Sequence, residues 1–515
     1  MPDGFAFDGR QRMKRSVRAA ALGLCLAVPV GFYALADAVD ALPGVITIDR
    51  AAGHPPVNPP AAAETMTPPA PKALAPVDPS SGAPAGQSSA DPDADPSADA
   101  SGDAVQPTVS GDQITAAMMR AAEIPVVNNH LAFSVVDART GETIAEHDGD
   151  TARVPASTMK LLTSVAAARH IDLDSRLTTS THLKGGDLFL RGGGDMMLTT
   201  ESAASKPVVK EDLSRASITD LARATADDLK KQGVTSVALH LDDTAFADDP
   251  VNPAWGSNGP SGGWVAPITA IAVDGGRLDG EPYGPKSTNP SEDALTAFRA
   301  ELEKNGITVT GEPNRAAVPK DAAEIAQVQS APVRDLIHHT LIHSDNTTAE
   351  VLGRLVAAEQ GKPATVAGAR DAVQEDITLL ARDEGLHADG LRIADNSGLS
   401  ADNRIPPRLL AELNAWSTGE APDPVREVFT LVPISGLEGT LADRFEASSV
   451  TDARGIVRGK TGYLAGTSSL TGVTTLADGR VVGFSIVVYG FDGADADAAR
   501  AAVDTTAALM IREQS

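Results

Sequence analysis

The chain has 515 residues, 42% of them apolar, and carries 43 Lys and Arg against 69 Asp and Glu, a net charge of −26. That is more than one ordinary core, and at about 150 residues per domain it predicts two or three folded units. A chain this acidic lacks the clustered Lys and Arg that nucleic-acid phosphates require. Its single cysteine, Cys25, sits in an apolar run near the N-terminus, so disulfides, thiolate metal sites and cysteine nucleophiles are excluded from everything after it.

Residues 1–18 form a basic N-terminal region with Arg10, Arg12, Lys14, Arg15 and Arg18, and residues 19–36 are uncharged and apolar. Positive charge ahead of an apolar segment reads as an export signal. The segment is about long enough to span a bilayer, and small residues after it offer a cleavage site, so both a membrane anchor and a cleaved signal peptide are open. Residues 37–112 are rich in Pro, Ala, Asp and Ser and show no hydrophobic period. They cannot bury enough apolar surface to offset their ordering entropy and are expected to be a disordered tether.

Order is expected from residue 113. Leu131 to Asp150 alternates like two strands around "ARTGE", and "RVPASTMKLLTSVAA" (Arg153–Ala167) follows as a helix. Residues 174–330, with short alternating runs and many Gly, Pro and Asp turns, read as an inserted β-rich domain. Near the C-terminus "SSLTGVTTL" and "RVVGFSIVVYG" form a hairpin, and a closing helix begins near Ala494. Strands and helices from both ends, 113–173 and 331–515, would then form one α+β domain, an antiparallel sheet with helices on both faces.

The helix start at Ser157 poses a puzzle. A serine there reads first as an N-cap, yet three residues on, where a capping box places Glu or Gln, stands Lys160. A cation in the first turn faces the positive end of the helix dipole, at a cost of about 0.3–1 kcal/mol. The placement makes chemical sense, because residues three apart share a helix face and the amine can reach the Ser157 hydroxyl. Apolar surroundings and the helix N-terminus both disfavour the ammonium, which lowers the lysine toward a useful general base. Ser-x-x-Lys alone arises about once by chance in a chain of this length. Two further elements give it weight: "HSDN", with Ser344 and Asn346 between two helical patterns, and "RGKTGY", with Lys460, Thr461 and Gly462 opening a strand. Each has a plainer reading, a helix–helix turn and a charged β-turn. A competing Ser-x-Asn at Ser287–Asn289 lies in a polar loop of the insert.

The three elements in this order follow the pattern of serine β-lactamases and penicillin-binding proteins. With "GGGDMMLT", "APITAIAVDGGRL", "DNSGLS" and "LVPISGLEGTLADRF", the chain resembles the low-molecular-mass penicillin-binding proteins of the D-alanyl-D-alanine carboxypeptidase/endopeptidase type, over roughly Ala116 to Ile511. The long separation of Ser157 from Ser344 matches the members with a large insert. The glutamate-bearing loop that some β-lactamases use to activate deacylating water is not found between Asn346 and Lys460, so slow release of penicillin is expected.

The resemblance implies an acyl-enzyme cycle on peptidoglycan peptides ending in D-Ala-D-Ala, with β-lactams as inhibitors. It casts Ser157 as nucleophile, Lys160 as its proton acceptor, and Ser344 as proton relay to the leaving amine. Asn346 would hold the substrate amide, Lys460, Thr461 and Gly462 the terminal carboxylate, and the backbone N–H groups of Ser157 and Tyr463 the oxyanion. Which group is the base at each step stays open, as does carboxypeptidase against endopeptidase preference. No cofactor is implied. His338, His339 and His343 lack a His-Glu-x-x-His arrangement, so no metal is expected. Trp255 and Trp264 read as core. The competing functions are a penicillin- or wall-binding module without turnover, and a β-lactamase.

Overall fold

A computed structural model describes residues 109–202, 213–246 and 249–512. The basic region, the apolar run at 19–36 and nearly all of the 37–112 tether lie outside the described residues. Thr108 to Ser515 forms one compact unit. Helical order begins inside the last residues assigned to the tether, because Ser110 and Gln113 make a reciprocal capping box: the Gln113 N–H donates to Ser110 Oγ at 3.2 Å and the Ser110 N–H to Gln113 Oε1 at 2.9 Å.

The chain runs as α1 (Gly111–Met119), β1 (Leu131–Asp137), β2 (Thr143–His147) and α2 (Met159–His170). Then come β3 (Arg176–Lys184), β4 (Asp187–Arg191), β5 (Asp195–Leu198), α3 (Ile218–Lys231), β6 (Ser236–Asp242), β7 (Ile271–Val273), α4 (Pro290–Lys304), β8 (Thr308–Val309), β9 (Asn314–Arg315) and β10 (Ala323–Pro332). It returns through α5 (Val333–Ile342), α6 (Asn346–Glu359), α7 (Val366–Glu384), α8 (Pro407–Ser417) and α9 (Asp423–Thr430). The last elements are β11 (Arg458–Leu464), β12 (Thr467–Thr475), β13 (Val481–Tyr489) and α10 (Ala496–Ile511).

Both chain ends build the main sheet, an antiparallel array in the order β11-β12-β13-β1-β2. Its inner strand β1, between β13 and β2, is buried at every residue, so it is covered on both faces. Helix α8 lies on one face, where Ala411 and Ala415 meet Val136, and α10 with α1 covers the other. This is the α+β arrangement the terminal patterns predict.

Residues 174–330 hold a second sheet, β10-β3-β4-β6-β8 with β9 paired to β6. Beside the strands expected of a β-rich stretch, its described residues form two α-helices, α3 and α4. The α3 positions Ile218, Leu221, Ala222, Thr225 and Leu229 recur at helical spacing and are buried, with Phe298 and Leu302 of α4, against Leu188, Leu190, Leu239 and Leu241. The pairs β4–β6 and β6–β8 are parallel, as the intervening helices permit. Trp255 is core, 2% exposed, and in "RGGGDMML" the three glycines 192–194 turn the chain from the end of β4 into β5.

Helix α2 is the structural centre. Every residue from Met159 to Ala168 is buried, and Leu161, Leu162 and Val165 pack among Ile337, Leu352, Val356, Val373 and Ile377. A helix buried all round belongs inside, and its polar members Lys160 and Thr163 are hydrogen-bonded there. Each fully buried Leu contributes about 1.5–3 kcal/mol, so the start of α2 is firmly held.

Candidate active site

Ser157 sits on a single 3₁₀ turn, Ala156–Thr158, just ahead of α2. The N-cap position belongs to Thr158, which makes no capping bond and donates instead to the Pro155 carbonyl at 2.8 Å. The capping role open to Ser157 in the sequence is therefore not taken. The turn is held from outside: Ala156 has φ 50°, a conformation that costs a non-glycine residue on the order of 1–3 kcal/mol. Strand β12 fixes it through Ser469, whose hydroxyl donates to Pro155 O at 2.8 Å. Strand β11 comes close only because residue 462 is glycine; a Cβ there would stand 2.7 Å from Pro155 O and 3.2 Å from the Ala156 Cβ. The glycine of Lys-Thr-Gly thus docks the serine turn against the sheet.

Lys160 is fully buried and its Nζ has three partners: Ser157 Oγ at 3.0 Å, Asn346 Oδ1 at 2.6 Å and the Ser397 carbonyl at 2.6 Å. The ammonium would donate to all three. A neutral amine has only two N–H bonds and a lone pair. The carbonyl of Ser397 can only accept, and the Asn346 amide is oriented by its Nδ2, which donates to Trp264 O at 2.9 Å. Ser157 alone can turn donor, so deprotonation aims the lone pair at the serine hydroxyl. Burial lowers the lysine to about 8, against the opposing pull of Asp395, Asp345 and Glu350.

Ser344, Asp345 and Asn346 join α5 to α6. Ser344 has φ 57°, a second left-handed non-glycine residue at the site. Asp345 caps α6, accepting from the Thr348 N–H at 2.7 Å, and pairs with Arg277 at 2.5 Å. Lys460, fully buried on β11, donates to Ser344 Oγ at 3.0 Å and to Thr461 O at 2.8 Å. Burial first, and then the charge of Lys160, push it well below the ordinary lysine value. Thr461 Oγ1 donates to Thr440 Oγ1 at 2.8 Å. The Gly459 N–H bonds Pro433 O, off the edge away from β12. By strand alternation the N–H of Thr461 and Tyr463 point the same way, from the open edge of β11. Ser157, Lys160, Ser344, Asn346, Lys460, Thr461, Gly462 and Tyr463 therefore converge, whereas the rival Ser287 lies at the head of α4, hydrogen-bonded to Asp293.

Residues 114–286 and 278–510 match the D-Ala-D-Ala carboxypeptidase 3 (S13) family. The chain belongs to this family. It is similar to carboxypeptidase DacB of Mycolicibacterium smegmatis, 32% identical over 413 residues that cover 79% of this chain and 86% of that one. It is also similar to a carboxypeptidase of Mycobacterium tuberculosis, 33% identical over 389 residues, 75% of this chain and 81% of the other. The crystal structure of penicillin-binding protein 4 from Haemophilus influenzae shares the fold, with TM-score 0.57 at 20% identity, covering 75% of this chain and 94% of that one. The protein is a serine-type D-Ala-D-Ala carboxypeptidase of the penicillin-binding class, working outside the cytoplasm where peptidoglycan lies. No helix among the described residues is long and apolar enough to cross a membrane.

The S13 site includes residues to which motif reading gave no role. Trp264 enters through its backbone oxygen on Asn346, Arg277 through Asp345, and Ser397 through its carbonyl on Lys160. Thr163, one turn beyond Lys160, donates to Asn396 O at 2.7 Å. Behind them lie two buried carboxylates, Glu350 and Asp395. Glu350 was detectable in principle, being four residues after Asn346 and so on the same helix face. The backbone contributions carry no sequence signal. A cavity of about 260 Å³ beside Asn346 is lined by Trp264, Arg277, Tyr283, His339 and Asp345 among others. Among the described residues no group of acidic, histidine or cysteine side chains is arranged to hold a metal.

Proposed function

We propose that Ser157 is the nucleophile of the D-Ala-D-Ala carboxypeptidase reaction and Lys160 the base that activates it. The observation that carries this is the set of three acceptors around Lys160, of which only Ser157 can return a proton. Ser157 Oγ attacks the carbonyl of the penultimate D-Ala while its proton passes to Lys160. The N–H groups of Ser157 and Tyr463 hold the oxyanion. The C–N bond then breaks, and the departing D-Ala amine takes a proton from the Lys160–Ser344 side. Water attacks the ester and releases the shortened peptide, returning the proton to Ser157.

Asn346 holds the substrate amide. Lys460 and Thr461 take the terminal carboxylate, with Gly462 giving the strand its close approach. The lowered basicity of Lys460 fits this role, because a substrate carboxylate beside it would favour its ammonium. β-Lactams acylate the same serine, and peptidoglycan peptides ending in D-Ala-D-Ala are the substrates. We assign catalysis to 109–173 and 331–515, interrupted by 174–330, because Val109 and the α1 cap at Ser110 are already tied to the fold, with 37–108 as tether and 1–36 as the export element, retained as an anchor or cleaved. Nothing in the site favours a binding module or a β-lactamase.

Purified protein incubated with a D-Ala-D-Ala pentapeptide should release D-Ala, and Ser157→Ala should release none. Peptide binding without release in the unmodified protein would instead identify a binding module.

A further inference from the structure

The α6 face that carries Asn346 continues with Glu350 one turn on and Gly353 two turns on. Glu350 and Gly353 both meet the loop 395–400. Glu350 accepts from the Ser397 hydroxyl at 2.6 Å, the Asn396 N–H at 3.1 Å and Asn396 Nδ2 at 3.3 Å. Gly353 leaves room for the Asn396 side chain, which a Cβ there would meet at 2.4 Å. On its other side the loop turns the Ser397 carbonyl onto Lys160 at 2.6 Å. Asp395 anchors the loop from within, accepting from the N–H groups of Gly398 at 2.8 Å and Ser400 at 2.6 Å and from Asn403 Nδ2 at 2.7 Å. The loop is clamped between two buried carboxylates, and Ser397 links Glu350 to the amine.

We propose that Glu350 is a positioning residue that sets the basicity of Lys160, holding the Ser397 carbonyl on the amine and keeping a buried negative charge behind it. This deepens the reading of Lys160 as base and rests on it. Glu350 is 5% exposed and its hydrogen-bond partners all lie in the loop, so it acts through Lys160 and not on substrate.

Burial first, and then Asp395, push the Glu350 carboxyl up to about 7; burial raises Asp395 as well. Near pH 8, where Lys160 changes its charge, Glu350 is mostly ionised. Its charge, with those of Asp395 and Asp345, favours the ammonium, while burial opposes it. On the β11 side stands Lys460, which burial and then the charge of Lys160 hold well below the ordinary lysine value. Arg354, one turn beyond Glu350, is turned to Ala364 O and stands over the Phe246 ring.

The test is the pH dependence of Ser157 acylation by penicillin in the unmodified protein and in Glu350→Gln, which keeps shape and an acceptor oxygen but removes the charge. The midpoint of the rise should fall by about 0.5–1 pH unit. Well below it, the rate relative to each protein's own plateau should be about 3- to 10-fold higher in the variant. A lower rate at every pH with an unmoved midpoint, as a structural role alone would give, overturns the proposal, and so does an upward shift. Ser397→Ala removes a donor to Glu350 yet leaves the carbonyl on Lys160, and should move the midpoint the same way by less. If Glu350→Gln does not fold, Ser397→Ala decides, and an unmoved midpoint there overturns the proposal. Absence of any Ser157 adduct in the unmodified protein would refute the nucleophile assignment instead.

Discussion

Gly398→Ala isolates the contact between the 395–400 loop and the serine turn. Gly398 has φ +88°, and a Cβ there would stand 2.0 Å from the Ala156 carbonyl oxygen and 3.0 Å from the Ser157 nitrogen. A carbon–oxygen contact needs about 3.3 Å, so the two segments must part by about 1 Å. The Ser397 carbonyl, now 2.6 Å from Lys160, would then lie at or beyond ordinary hydrogen-bond range. A lost bond to a charged or reacting group is worth about 1.5–3 kcal/mol, or roughly 10- to 100-fold in rate, and a shift of this size can cost as much through misalignment alone. The assay is the second-order rate of acylation by a reporter penicillin, with thermal melting in parallel. Gly385→Ala is the control, since Gly385 has φ +72° with nothing within 4 Å of its Cβ. It should lose about 1 kcal/mol of stability and acylate normally. Equal acylation by Gly398→Ala and the unmodified protein would refute the claim that this loop holds Lys160 in its reactive arrangement.

Acylation should rise with pH and level off above about 8, because only the neutral form of Lys160 accepts the serine proton; a rate falling through that range contradicts the base assignment. Thr461→Val should raise KM for a D-Ala-D-Ala peptide about 10-fold with a smaller effect on kcat, since it removes a hydroxyl from the carboxylate side of the site. Asp345 is pushed up by burial but held well below the usual carboxylate range by Arg277, His339 and Thr348. Its folded value lies below the unfolded one, so its contribution is full above about pH 4 and is lost as pH falls through the folded value. Arg277→Gln should therefore destabilise by about 2–4 kcal/mol at pH 7, with the deficit shrinking under acid, as urea titrations at several pH values would show.

The parts legible in the sequence are those written in side-chain type and period. The terminal strands, the α2 pattern and the closing helix all gave their signals locally, and the three motifs lie together as their order implied. The helices α3 and α4 were hidden by the Gly, Pro and Asp turns around them, although the α3 stripe has helical spacing. Less legible still was the support of the site. Ser157 does not cap its helix, because strands β11 and β12 hold the preceding turn in a strained conformation that no local pattern records. Trp264 and Ser397 contribute carbonyl oxygens, which every residue has, and so cannot be distinguished by type. Glu350 was visible as an acid on the Asn346 face, but its burial against 395–400 is a fact of tertiary packing.

The most direct test of the account is intact-mass spectrometry after penicillin treatment, followed by peptide mapping of the adduct. One penicilloyl group on Ser157, released as slowly as the sequence leads one to expect and absent from Ser157→Ala, is the predicted result. An adduct on any other residue, or none on an enzyme that still releases D-Ala, would contradict it.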